Sequence, residues 1–168
     1  MFPDGDRRVV GPSRYPSGMT TKTTQTDGLT VERTLVLVKP DGVRRGLSGE
    51  VLRRIEAKGY TLAAVELVQA TPELLERHYA EHVDKPFFRA LVDFMLSGPT
   101  LAVVAEGNRV IEGFRSLAGA TDPTTAAPGT IRGDLGRAWD GPVMQNIVHG
   151  SDSPESASRE IGLWFPAL

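Results

Sequence analysis

A chain of 168 residues with a net charge of −2 and no cysteine fits one domain with one core. Its composition excludes a disulfide framework and a thiolate zinc site. The near-neutral charge and scattered basic residues argue against a nucleic-acid-binding surface, and no apolar run approaches the roughly 20 residues of a membrane helix. Residues 1–31 are rich in Thr, Gly, Pro, Ser and Asp and read as a disordered extension. They lack the apolar centre of a secretory signal, and Asp4, Asp6 and Asp27 do not suit a mitochondrial transit peptide. Met19 is an alternative start.

From Glu32 the pattern becomes globular. Leu35-Val36-Leu37-Val38 is a continuous apolar run, as in a strand buried on both faces, and Lys39-Pro40-Asp41-Gly42 reads as a turn. Ser48 to Lys58 reads as a helix with Leu47, Val51, Leu52 and Ile55 toward the core and Gly59 to end it. A strand over 61–68 precedes a helix capped by Thr71 with Pro72 at its first position. A further helix starts from Pro86 with the stripe Phe88, Leu91, Val92 and Met95. Leu101 to Ala105 is the third strand, and Val110, Phe114 and Leu117 mark a helix ending at Gly119. Residues 120–145 read as one long Gly- and Pro-containing loop, of a length usually associated with function or disorder. A fourth strand delivers His149 into a Gly-Ser turn, and Ser153-Pro154 opens a last helix carrying Glu160. This order predicts an α+β fold, a ferredoxin-like βαββαβ sandwich with a four-stranded antiparallel sheet covered by helices on one face.

The chemistry narrows by elimination. Neither a G-x-x-x-x-G-K-[ST] nor a G-x-G-x-x-G loop is present, so bound phosphates would have to meet side chains. Lys39, Arg115, Thr121 and Arg132 are candidates, arginine because its planar fork grips two oxygens. Lys39 stands out at the end of a buried strand. His149, Ser151 and Asp152 are too close along the chain for a hydrolase relay, and no G-x-S-x-G elbow exists. The three histidines, His78, His82 and His149, include no H-E-x-x-H pair for zinc. A fixed imidazole, mostly neutral near pH 7, remains as a phosphoryl acceptor among cations.

Six segments then match one family in order: Lys39-Pro40-Asp41-Gly42; His78-Tyr79 with Pro86-Phe87-Phe88; Ser97-Gly98-Pro99; Gly119-x-Thr121-Asp122-Pro123; Pro128 through Asp134; and Asn146 through Ser153. The chain resembles the nucleoside diphosphate kinases from about Glu32 to Phe165, which sets the expected catalytic domain at 32–168. The resemblance implies transfer of a γ-phosphate between nucleotides through a phosphohistidine, with His149 as nucleophile. Lys39 would meet the sugar 3'-hydroxyl and the moving phosphate, and Asn146 the same hydroxyl. Tyr79 would lie beside the transferred group, and Arg115, Thr121, Arg132 and His82 would hold phosphates. Glu160 and Ser151 would orient the imidazole. Phe87 would stack on the base with Leu91 beside it, which accepts any base face; the alternative is that Phe87 and Leu91 simply extend the core. For Glu160 the alternative is an ordinary solvated helix charge, and His78 is given no role. The resemblance further implies Mg2+ carried by the nucleotide phosphates, ATP and other nucleoside tri- and diphosphates as partners, a homo-oligomer of hexamer type, and a cytoplasmic setting. The segment 135–145 is about four residues longer than the family pattern, an excess that surface loops tolerate. Two competing readings remain: a nucleotide-binding regulator of the same fold without turnover, and a nucleic-acid-binding protein.

Overall fold

The computed structural model describes residues 30–138 and 141–168, so the proposed N-terminal extension and residues 139–140 of the long segment lie outside the described residues. Four strands, β1 (Val31–Val38), β2 (Thr61–Val68), β3 (Thr100–Asn108) and β4 (Val148–Gly150), form one sheet in the order β2-β3-β1-β4. Every neighbouring pair is antiparallel. Among the described residues seven α-helices accompany them: α1 (Pro40–Arg44), α2 (Ser48–Ala57), α3 (Pro72–His78), α4 (Phe88–Leu96), α5 (Val110–Ala118), α6 (Ile131–Leu135) and α7 (Pro154–Trp164).

Alternation along the central strands divides the core in two. Val36, Val38, Val103 and Ala105 pack with Val51 and Ile55 of α2 and Val110 and Phe114 of α5. Leu35, Leu37, Ala102 and Val104 pack on the other face with Leu75 of α3, Val92 and Met95 of α4, and Trp164. Helices therefore cover both faces, not one, which explains why Leu35 to Val38 are all fully buried. Each such side chain contributes roughly 1.5–3 kcal/mol, so β1 is the anchor of the sheet.

Three further expectations are corrected. The Lys39-Pro40-Asp41-Gly42 turn is the start of α1, with Pro40 at a first-turn position where its missing N–H leaves no bond unmade. The segment 120–145 contains α6, capped by Thr130, whose hydroxyl accepts from the Gly133 N–H at 3.0 Å. The helix expected from Pro86 begins at Phe88, after a 3-10 turn over Ala80–His82.

Candidate active site

The site is built where β4 meets β1. His149 lies opposite Leu37 in the antiparallel register, so it projects from the sheet face covered by α3, α4 and α7. The approach to it is held by backbone. Ile147 sits in the left-handed region at φ 70°, a conformation costing a β-branched residue about 1–3 kcal/mol. Its N–H donates to the Asp41 carboxylate at 3.0 Å, and its carbonyl accepts from the Lys39 N–H at 2.8 Å. Arg132 donates to the carbonyls of Asn146 at 3.2 Å, Val148 at 2.8 Å and Gly119 at 2.7 Å. Gly42 must lack a side chain here, because a Cβ would come within 3.1 Å of the Ile147 side chain and 2.8 Å of Val38.

This bend delivers Asn146, 5 % exposed. Its side-chain carbonyl accepts from Lys39 Nζ, and its amide donates to the Thr121 carbonyl at 2.7 Å. Lys39 is itself buried. Desolvation brings its pKa down to about 8, with Arg132 pushing the same way and Asp41 opposing. Burial and the neighbouring Arg115 lower Arg132 to about 10.

Glu160 reaches His149 from α7, whose inward face is Ala157, Glu160 and Trp164 at helical spacing. At 5 % exposure it is no solvated helix charge. Its carboxylate accepts from Ser151 Oγ at 2.7 Å and lies 3.1 Å from His149 Nε2; Ser151 is fixed in turn by the Leu35 N–H at 3.2 Å. Burial raises the Glu160 pKa, but the bonds to His149 and Ser151 and the nearby imidazoles outweigh it and hold the carboxyl below its usual range. An ionised carboxylate only accepts, so in the neutral imidazole Nε2 carries the proton and the lone pair is on Nδ1.

Around these groups lies a cavity of about 410 Å³, lined among others by Lys39, Tyr79, His82, Leu91, Arg115, Thr121, Arg132, Asn146 and His149. The volume suits a small-molecule site. Burial raises the Tyr79 phenol above its ordinary pKa, keeping it a neutral hydroxyl. Phe87 is 45 % exposed and stands beside His82, ring centroids 5.6 Å apart, while His82 stacks on Tyr79. Phe87 is therefore not core. Ser151 is fully buried behind the cavity. Three groups escaped the sequence reading: Asp41, which pins Ile147; Arg159, which lines the cavity; and His78, buried beside His149. The KPDG segment was a signal for Asp41, but its partner lies 106 positions away.

Among the described residues, one group of metal-ligating side chains is close-set: His78, His149 and Glu160, within 4.8 Å. Magnesium prefers oxygen ligands, whereas two of these three offer nitrogen and the carboxylate is engaged. That donor set does not suit a magnesium ion held by protein side chains alone.

The family model for nucleoside diphosphate kinase matches residues 32–168. The chain belongs to the nucleoside diphosphate kinase family. It is similar to the nucleoside diphosphate kinase of Nocardia farcinica, 63 % identical over 136 residues covering 80 % of this chain and 95 % of that protein. The Thermobifida fusca enzyme is 62 % identical over 138 residues, 82 % of this chain and 99 % of its own. Among solved structures, a halophilic nucleoside diphosphate kinase from Halobacterium salinarum in complex with CDP superimposes with a TM-score of 0.75 at 48 % identity, covering 80 % of this chain and 87 % of that one. A family member from Babesia bovis gives 0.73 at 48 % identity, with 80 % and 88 % covered. The ferredoxin-like expectation is borne out. The protein is thus a nucleotide-binding phosphotransferase, moving the γ-phosphate of a nucleoside triphosphate to a nucleoside diphosphate through a phosphohistidine. Kinases of this family need a divalent cation, and among the described residues no helix is long and apolar enough to cross a membrane.

Proposed function

We propose that His149 Nδ1 is the phosphoryl acceptor and that residues 32–168 form the catalytic domain. The observation that carries this is the Glu160 carboxylate on His149 Nε2, which leaves Nδ1 as the nucleophilic nitrogen at a cavity lined by Lys39, Arg115 and Arg132. With the magnesium complex of a nucleoside triphosphate as substrate, Nδ1 attacks the γ-phosphorus and the bond from that phosphorus to the β–γ bridging oxygen breaks. The ring becomes cationic, keeps its proton on Nε2, and is offset by Glu160. A terminal oxygen of an incoming nucleoside diphosphate then attacks the phosphorus, the N–P bond breaks, and neutral His149 returns.

Lys39, Arg115, Thr121 and Arg132 bind the phosphates, with His82 beside them. Lys39 and Asn146 together hold the sugar 3'-hydroxyl, and Tyr79 donates near the transferred group. Phe87 supplies a stacking face at the mouth, with Leu91 beneath, and so accepts purines and pyrimidines alike. Magnesium bound to the phosphates would neutralise charge developing on them, and Lys39, Arg115 and Arg132 would hold that complex in the cavity. Exposed Val65 and Leu67 on the edge strand β2 support association of copies, proposed as a hexamer, since an unpaired apolar edge favours pairing. A cytoplasmic setting agrees with the cysteine-free chain.

The test is incubation with γ-labelled ATP and magnesium, no second nucleotide being present. An acid-labile, base-stable label should accumulate and move to added GDP or CDP. ATP binding without label would make the chain a nucleotide-binding regulator instead.

A further inference from the structure

His78 is the last residue of α3 and is 4 % exposed. Its Nδ1 accepts from Trp164 Nε1 at 3.3 Å, and its Nε2 is buried with no hydrogen-bond partner. The ring stands edge-on to that of His149, centroids 4.8 Å apart and planes at 79°. Indole nitrogen is a donor only. The bond from Trp164 therefore requires a lone pair on His78 Nδ1 and places the proton of the neutral ring on Nε2.

We propose that His78 is a positioning residue for phosphoryl transfer: Trp164 holds it as the uncharged Nε2–H tautomer, so that a neutral ring packs against His149 as that ring gains positive charge. This rests on His149 being the phosphoryl acceptor. The charged and titratable groups facing His78 are His149 on β4, Glu160 and Arg159 on α7, His82 beyond the end of α3, and the neutral Tyr79 phenol, whose ring stands edge-on with centroids 4.5 Å apart. Glu160 is the anion among them, and it is already shared by His149 and Ser151. A second cation at His78 would face the phosphorylated ring with no anion of its own. Burial, with the positive neighbours, lowers the His78 pKa to about 3, in keeping with an uncharged ring. The same bond argues against a transition-metal site at His78, His149 and Glu160, because a metal on Nε2 would require the proton to move to the nitrogen that Trp164 already faces.

Nitrogen-15 spectra of the wild-type protein labelled at histidine test the ground state without any turnover. His78 should show Nδ1 bare and Nε2 protonated, unchanged from about pH 5 to pH 8, across the range where a free imidazole titrates. A His78 that titrates in that range, or carries its proton on Nδ1, overturns the proposal. The functional arm uses Trp164→Phe, which removes the donor and opens room for water beside His78. Single-turnover labelling should slow about threefold near pH 8 and about tenfold near pH 6, where a partly charged His78 opposes the step. Nucleotide KM should stay within about twofold. His78→Phe keeps a neutral ring and should label within about threefold of wild type, and in that background Trp164→Phe should show no extra loss at low pH. A folded Trp164→Phe whose pH profile parallels wild type, or a pH-dependent loss that persists in the double variant, would contradict the proposed role. Wild-type protein that takes up no label at all would instead sink the phosphohistidine reading.

Discussion

The two walls of the cavity are built differently. On the β4 side, Asn146 to Ser151 is buried or half-buried, and its backbone is tied to Lys39, Asp41 and Arg132 by bonds of 2.8 to 3.2 Å. On the side formed by the end of α3 and the start of α4, Tyr79, His82 and Leu91 line the cavity, exposed Phe87 stands beside His82, and the contacts are ring against ring. The difference teaches how the fold divides its work. A phosphoryl acceptor must be placed to a fraction of an ångström, which backbone bonds and strain achieve. A base of varying size needs only a flat face.

Variants that attack the rigid wall should have the largest effect. Asp41→Ala removes the acceptor for the Ile147 N–H while the left-handed backbone remains, leaving a buried donor unsatisfied at about 1–3 kcal/mol. Thermal denaturation should register that loss, and labelling should slow about 100-fold because His149 and Asn146 move together. A variant with unchanged labelling would mean the Asp41 bond to Ile147 is not what places His149.

Substitution on the open wall should leave chemistry alone. Phe87→Ala should weaken nucleotide binding by about 1–3 kcal/mol, similarly for purines and pyrimidines, with the fold intact. Loss of folding would return Phe87 to the core, and loss confined to one base class would refute stacking as the basis of recognition.

Lys39 belongs to the rigid side, bonded to Asn146, and sharpens the contrast through pH. With its pKa lowered to about 8, the free enzyme carries this cation below that pH and loses it above. The value of kcat/KM should therefore fall as pH rises through about 8, approaching tenfold per pH unit. Lys39→Arg should remove this alkaline limb even where its activity is lower, because guanidinium stays charged. A limb that persists in Lys39→Arg belongs to another group.

The smallest effect is expected in the long segment after α6. Residues 137, 138, 141 and 142 are exposed, and trimming 140–143 should leave both turnover and melting temperature near wild type. Abolished turnover in a folded variant would make the segment part of the site.

Legibility in the sequence follows the same division. The apolar run of β1, the capped starts of α3 and α7 and the unusual Lys39 at a strand end were readable because each carries a local signal, whereas the gathering of Lys39, Asn146, His149 and Glu160 at one place came only from the match of ordered motifs to a family. What escaped depends on partners distant in sequence. The helices α1 and α6 span five residues each, too few for a periodic pattern, and are held by tertiary contacts. Asp41 acquires its role only when Ile147, 106 positions on, adopts a strained conformation. His78 acquires its role from Trp164, 86 positions on.

The central claim is that Glu160 holds His149 by Nε2 and leaves Nδ1 to take the phosphate. Phosphorus and nitrogen-15 spectra of the isolated phosphoenzyme, made from ATP with selectively labelled histidine, report which nitrogen bears phosphorus. The account predicts a single phosphohistidine at position 149, bonded through Nδ1, and absent in His149→Ala. Phosphorus on Nε2 of His149, or on any other residue, would contradict it.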